Sequence, residues 1–276
     1  MLDKKISFIG AGKIAEILIG NMTARGVVSP ERIMIGDQSA RRLEEMTERF
    51  GVNAASSNRE AVEHGDVVFV CVRSENVAGV VEEIRGFDFS GKTLVSISSG
   101  VPMSLYREAI PGALIVRALP NPPSKIGHGV IALAFDGRFG ETAREEVMEI
   151  FSSMGKCFIL PEEKINVITS VTGPAPVFAF CEAAIQACVL LGIDHKTSES
   201  LVFHTISGCL KEWEENLGQM GKLLTETSTP GGISVQQLFS LDKGAFNATV
   251  KGCYVKGWEK TSEVGEKIAR ALEKAR

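Results

Sequence analysis

Residues 4–15 read KKISFIGAGKIA. Ile6, Phe8 and Ile9 form a short apolar run behind two lysines, Gly10-Ala11-Gly12 makes a tight turn, and Ile14, Ile17, Leu18 and Met22 then recur at helical spacing. The order is strand, turn, helix. The turn spells Gly10-x-Gly12-x-x-Ala15, the Ala-ended form of the dinucleotide fingerprint. The first glycine permits the turn, the second lets backbone approach a pyrophosphate, and the small Ala15 lets the helix pack on the strand. The helix start adds free amides and the positive end of its dipole. Two nearby glycines are common in loops. The strand-like run before them and the helical run after them make Gly10, Ala11, Gly12, Lys13 and Ile14 candidate cofactor contacts.

Outward from this turn, the composition is that of a globular protein. The 276 residues, 44% hydrophobic and 23% charged, suffice for one large domain or two medium ones. A net charge of −4 argues against a nucleic-acid footprint and against a basic, membrane-attracting face. The most apolar run, 177–191, is broken by Glu182 and Gln186, so no stretch reads as membrane-spanning. The strand signal begins within the first few residues, so no signal peptide is expected. Cys71, Cys157, Cys181, Cys188, Cys209 and Cys253 form no CxxC pair and lie near no histidine at metal-ligand spacing. Buried free thiols in a reducing cytoplasm are the expectation, with no metal site.

Strand and helix signals alternate through the first half. Residues 32–36 (RIMIG) read as a second strand with Asp37 at its end. A helix follows over about 39–50, stopped by Gly51. Residues 53–55 suit a short strand, and Asn58 is placed to cap a short helix ending near Gly65. The run DVVFVCV, 66–72, is valine-rich and continuous, as in a strand buried on both faces. A helix over 76–84, strands over 93–98, 114–119 and 130–135, and a helix over 141–154 complete the pattern. It implies an α/β Rossmann-type doubly wound parallel sheet. Beyond about residue 163 no strand is evident. Helical segments run over roughly 164–191, 195–217, 231–242 and 244–272. The expected domains are therefore 1–163, binding a dinucleotide, and 164–276, all helical. Small residues such as Ala179, Ala183, Ala184 and Ala187 permit close helix approach, and a domain this small often completes its burial against a second copy. Homodimerisation through this half is the expectation.

Several positions carry chemistry. Asp37 stands 27 residues beyond Gly10, where an acid accepts from ribose hydroxyls and favours NAD. Arg41 and Arg42 can instead meet a 2′-phosphate, or simply form a solvated first turn of helix. Arg73 follows a buried strand at its carboxyl end, where ligands bind in open sheets. Asn121 lies in a Pro-rich loop after a strand, as an amide for the ring or ribose or as an ordinary Asn-Pro turn. His128 lies between two glycines near the expected cleft. Thr229-Pro230-Gly231-Gly232 before a helix can cradle a carboxylate on backbone amides, or merely cap the helix. No Ser-His-Asp or Cys-His arrangement is evident.

Five separated segments, IGAGKIAEILI (9–19), SISSGVPMSLY (96–106), LPNPPSKIGHGVIAL (119–133), TGPAPVFAFCEA (172–183) and STPGGIS (228–234), occur in the order found in one family. Together they resemble pyrroline-5-carboxylate reductase over nearly the whole chain. The resemblance implies a Rossmann domain followed by a helical dimerisation domain. It implies NAD(P)H-dependent reduction of a cyclic imine to L-proline, with NADP as cofactor and NAD as the alternative. It places Val72 and Arg73 on the cofactor, Thr172 and Ser234 as catalytic hydroxyls, and Thr229, Gly231, Gly232, Ser234 and Asn121 on the substrate, with Asn121 also near the nicotinamide.

The chain departs from the family at Pro122, where a hydroxyl is lost, at Pro176, where an aromatic is replaced, and at Ile233. Val72-Arg73-Ser74-Glu75 stands where the family has Val-Lys-Pro-Gln. These departures leave open a reductase of a different cyclic imino or keto acid, or a nucleotide-binding regulator without turnover.

Overall fold

The computed structural model describes residues 1–274. Its first part alternates strand and helix: β1 (Ile6–Ile9), α1 (Lys13–Ala24), β2 (Ile33–Gly36), α2 (Ala40–Phe50), β3 (Asn53–Ala54), α3 (Asn58–His64), β4 (Val67–Val70), α4 (Val77–Ile84), β5 (Thr93–Ser96) and α5 (Met103–Ala109). Then follow β6 (Leu114–Pro120), β7 (Gly129–Phe135), α6 (Glu141–Ser152), β8 (Gly155–Ile159) and α7 (Glu162–Val171). The eight strands form one sheet in the order β3-β2-β1-β4-β5-β6-β7-β8. β1 pairs in parallel with β2 on one side and β4 on the other, so the winding reverses at β1 and opens a crevice beyond its carboxyl end.

Each inner strand is buried on both faces. In β1, Phe8 joins the core on one side, its ring 4.7 Å from that of Phe69, while Ile9 joins the other with Val68, Val70 and Leu94. That two-sided burial is why β4 reads as unbroken valine and phenylalanine.

The structure corrects the sequence reading at several elements. β6 and β7 are antiparallel, because the short 121–128 loop joining them cannot make the crossover a parallel pair requires. β8 was not expected. Its sequence GKCFI mixes polar and apolar residues, and it lies at the sheet edge, where most of its residues keep solvent contact. α5 was also unread. Ser57 caps α3, accepting from the Glu60 amide, so Asn58 opens the helix instead of capping it.

Contacts divide the chain into one unit of Met1–Gly173 with Gly257–Arg276 and a second of Pro174–Lys256. The second unit is helical: α8 (Ala175–Leu190), α9 (His195–Glu215), α10 (Met220–Glu226), α11 (Ile233–Lys243) and the start of α12 (Phe246–Lys274). The helix expected over 164–191 is thus α7 and α8, separated at Thr172-Gly173-Pro174. By length and apolar composition 162–190 does qualify as a membrane-spanning stretch, contrary to the sequence reading. Its longest uninterrupted helix is the 16 residues of α8, short of the roughly 20 a span requires.

The expected burial of the thiols holds only for Cys71. Cys157, Cys181 and Cys188 are partly exposed, and Cys209 and Cys253 are exposed. The cysteines of α8, α9 and α12 lie on helices whose apolar faces a single chain leaves open. Phe178, Phe203 and Leu190 are 66, 64 and 88% exposed.

Candidate active site

The fingerprint turn joins β1 to α1 as its residue types require. Gly10 has φ +97°, and a Cβ there would lie 3.0 Å from the carbonyl carbon and oxygen of Cys71, so both conformation and space demand glycine. Gly12 is the extended residue before α1, and a Cβ there would meet only the Cys71 oxygen, at 3.9 Å. Its missing side chain therefore opens the ligand side of the turn. A cleft of about 480 Å³ lies there, at the carboxyl ends of β1, β2 and β4, within the size range of small-molecule sites. Gly10, Gly12, Asp37, Val72 and Arg73 line it, and the first amides of α1 have no carbonyl behind them in the helix. A dinucleotide pyrophosphate fits this backbone.

The other fingerprint residues act differently. Ala11 has its methyl in the core, and its amide donates to Asp37 Oδ2 at 2.8 Å. The second Asp37 oxygen accepts from the Ser39 amide at 2.9 Å. Asp37 thus ties the β2 loop to the turn while keeping lone pairs for a hydroxyl. Ile14 packs against the core, and Lys13, 70% exposed, pairs with Glu16 at 3.2 Å.

The two arginines behave differently from each other. Arg42 donates from Nε to the Ala11 carbonyl at 2.7 Å, from Nη2 to Glu16 at 2.7 Å and from Nη1 to Glu45 at 3.3 Å. Its guanidinium joins α1 and α2 here, a set of bonds that the two readings of this helix turn, phosphate contact or solvated face, do not include. Arg41 pairs with Glu45 and is 88% exposed; neither arginine lines the cleft. Glu16 is the hub. Burial alone raises its pKa, but hydrogen bonds from Arg42, Lys13 and Arg49 outweigh this and hold it at about 2.

Several cleft residues carry no clear signal in the sequence. Asn58 Nδ2 donates to the Glu83 carboxylate, and both line the cleft with Gln38. Their only sequence signal was a capping position and a helix face.

Asn121 is a clasp. Its Oδ1 accepts from the Val130 amide at 2.9 Å, and its Nδ2 donates to the Thr172 carbonyl at 2.9 Å, leaving one amide hydrogen. Thr172 ends α7, and its hydroxyl donates to the Ile168 carbonyl at 2.7 Å, so it meets a ligand as an acceptor. The hydroxyl lost at Pro122 is not replaced by Ser124, which is wholly buried beneath Gly129. His128 is exposed in that loop.

In the helical unit, Gly231 has φ +73°, the Gly232 amide donates to the Thr229 carbonyl at 2.9 Å, and a Cβ on Gly232 would collide with the Thr229 hydroxyl. Gly232 is the residue before α11, with no side-chain cap. The turn therefore presents the open amide end of a helix with Ser234 in its first turn. Among the described residues, no group of three or more His, Cys, Asp or Glu side chains is placed to hold a metal.

A Rossmann sheet with a cleft at its switch point, continued by helices among which one starts with open amides after a Gly-Gly turn, defines a class: the two-part nicotinamide-dependent oxidoreductases. The comparisons narrow it. Residues 5–100 match the family model described as NADP oxidoreductase coenzyme F420-dependent, and 162–264 match that for pyrroline-5-carboxylate reductase dimerisation. Pyrroline-5-carboxylate reductase of Methanosarcina acetivorans is 28% identical over 97% of this chain and 100% of that protein. The Escherichia coli enzyme is 28% identical over 96% of this chain and 100% of its own length. The crystal structure of Plasmodium falciparum pyrroline carboxylate reductase with NADP bound superposes with a TM-score of 0.85, at 26% identity, over 96% of this chain and 99% of that one. The chain is thus similar to pyrroline-5-carboxylate reductases over nearly its whole length, and 162–264 match the dimerisation domain of that family.

Proposed function

We infer that this protein reduces the ring imine of 1-pyrroline-5-carboxylate to L-proline, the last step of proline synthesis, with NADPH as donor and NADH as the alternative. The observation that carries the reading is the full-length match to named reductases of this activity, together with a glycine-shaped cleft that fits a dinucleotide. When bound, the nicotinamide supplies a hydride to the imine carbon. The chain's own work is positioning. Gly10, Gly12 and the first amides of α1 hold the pyrophosphate, Val72 and Arg73 wall the cleft, and Asp37 accepts from whichever hydroxyl of the adenosine ribose is free, which in NADH includes the 2′-hydroxyl. The turn Thr229–Gly232 binds the ring carboxylate on its amides, and Ser234 Oγ supports the ring nitrogen, whose proton stays on the product amine. Thr172 accepts a hydrogen bond, and Asn121 offers its remaining amide hydrogen.

In this reading, 1–163 serves the cofactor, and 164–276 serves substrate and dimer formation. The dimerisation model over 162–264 and the exposed apolar faces of α8 and α9 support self-association as a homodimer. A cytoplasmic location accords with a biosynthetic role.

The test is nicotinamide absorbance with purified protein, NADPH or NADH, and a panel of cyclic imines. Turnover of pyrroline-5-carboxylate is the expected result. Turnover of another imine alone, which the departures at Pro122, Pro176 and Ile233 would favour, redirects the substrate. Cofactor binding with no turnover contradicts the reading.

A further inference from the structure

We propose that Arg117 is a positioning residue for the reaction: from inside β6 it clasps α7 and so sets Thr172 against Asn121. Arg117 is 2% exposed, a rare place for a guanidinium. Its Nη2 donates to Asn166 Oδ1 at 2.8 Å, and its Nη1 reaches Glu162 Oε1 at 3.4 Å; both partners stand on α7. The same Glu162 oxygen accepts from the Met103 amide at the start of α5, at 2.7 Å. Ser96, the neighbour of Arg117 across the β5–β6 ladder, bonds Tyr106 Oη at 2.9 Å. The guanidinium thus sits in a polar layer within an otherwise apolar core.

Four residues further along the chain, Asn121 donates to the Thr172 carbonyl at the other end of α7. β6 with the loop after it is therefore joined to α7 and its cap by two rungs, Arg117 to Asn166 and Glu162, and Asn121 to Thr172. On α7 the rungs lie about 9 Å apart at 1.5 Å per residue. One rung alone lets the helix roll; two fix its height and rotation. An apolar side chain would fill the Arg117 site without the desolvation cost of a charge, but it would impose no direction. A planar fork of donors does impose one. Its consequence is that the Thr172 hydroxyl and the free Asn121 hydrogen keep a fixed geometry, on which near-attack alignment depends.

The kinetic arm of the test rests on the imine-reductase reading; the structural arm does not. Asn166 is only partly buried, so its variants spare the core. In Asn166→Ala, kcat per bound NADPH should fall about tenfold while the NADPH Kd stays within about twofold. Asn166→Asp restores an acceptor for Arg117 and should return kcat to within about threefold of the parent. Amide exchange supplies the second arm. The amides of Thr172 and Val130 should exchange about tenfold faster in Asn166→Ala than in Asn166→Asp, with β1 and β4 unchanged. Equal exchange and equal turnover in the two variants would overturn the proposal. If the parent protein turns over no pyrroline-5-carboxylate, the functional reading fails, and the exchange arm alone decides the role of Arg117.

Discussion

At the scale of single residues, the proposed chemistry rests on a few hydroxyls, and the join of α1 to α2 on one carboxylate hub. Replacing Ser234 by Ala should lower kcat about tenfold or more while leaving NADPH affinity intact, read by steady-state rates beside a nicotinamide fluorescence titration. Glu16 makes a stability prediction with a definite sign. Its folded pKa of about 2 lies below the ordinary glutamate value of 4.5, so its contribution is present above about pH 4.5 and is lost as pH falls towards 2. Glu16→Gln should therefore destabilise the protein by on the order of 2 kcal/mol at pH 7, with the gap to the parent closing between pH 4.5 and 2 in thermal melts. Residue identity was legible where glycine was obligatory, as at Gly10, and illegible where a side chain chose between partners. Arg42 reads equally as a phosphate contact or a solvated helix turn, because sequence shows charge but not distance. The Glu16 that occupies it stands on another helix, 26 residues away along the chain.

At the scale of elements, the turn between β1 and α1 depends on the absence of a Cβ. Gly10→Ala should weaken NADPH binding by about tenfold or more, because the methyl meets the Cys71 backbone and φ is positive; a titration with NADPH checks it. The inner strands could be read from sequence because burial on both faces leaves only apolar residues. The antiparallel β6–β7 pair had its signal in the short 121–128 loop, which is too short for a parallel crossover, but the strand pattern alone reads the same in either direction. β8 escaped because an edge strand with a solvent-facing side has no strong hydrophobic pattern. The break between α7 and α8 was visible as Gly173-Pro174, yet the apolar periodicity on both sides ran across it.

At the scale of the whole molecule, large apolar side chains lie open along α8 and α9 of the isolated chain, more than a lone protomer in water accounts for. Light scattering should give the mass of two chains or a multiple of two, and the double substitution Phe178→Glu with Phe203→Glu should shift it towards one chain. The division into a sheet part and a helical part was readable from where the strands stop, whereas contacts return the chain from Gly257 onward to the first unit, a pairing remote in sequence. The account as a whole assigns the pyrophosphate to the Gly10–Gly12 turn and the small ring acid to the Thr229–Ser234 turn. A crystal structure of the dimer with NADP and L-proline tests both assignments at once. The account predicts phosphate density against the first amides of α1 and the proline carboxylate on the amides before α11. Proline bound elsewhere, or a bare Gly10–Gly12 turn beside a bound cofactor, would contradict it.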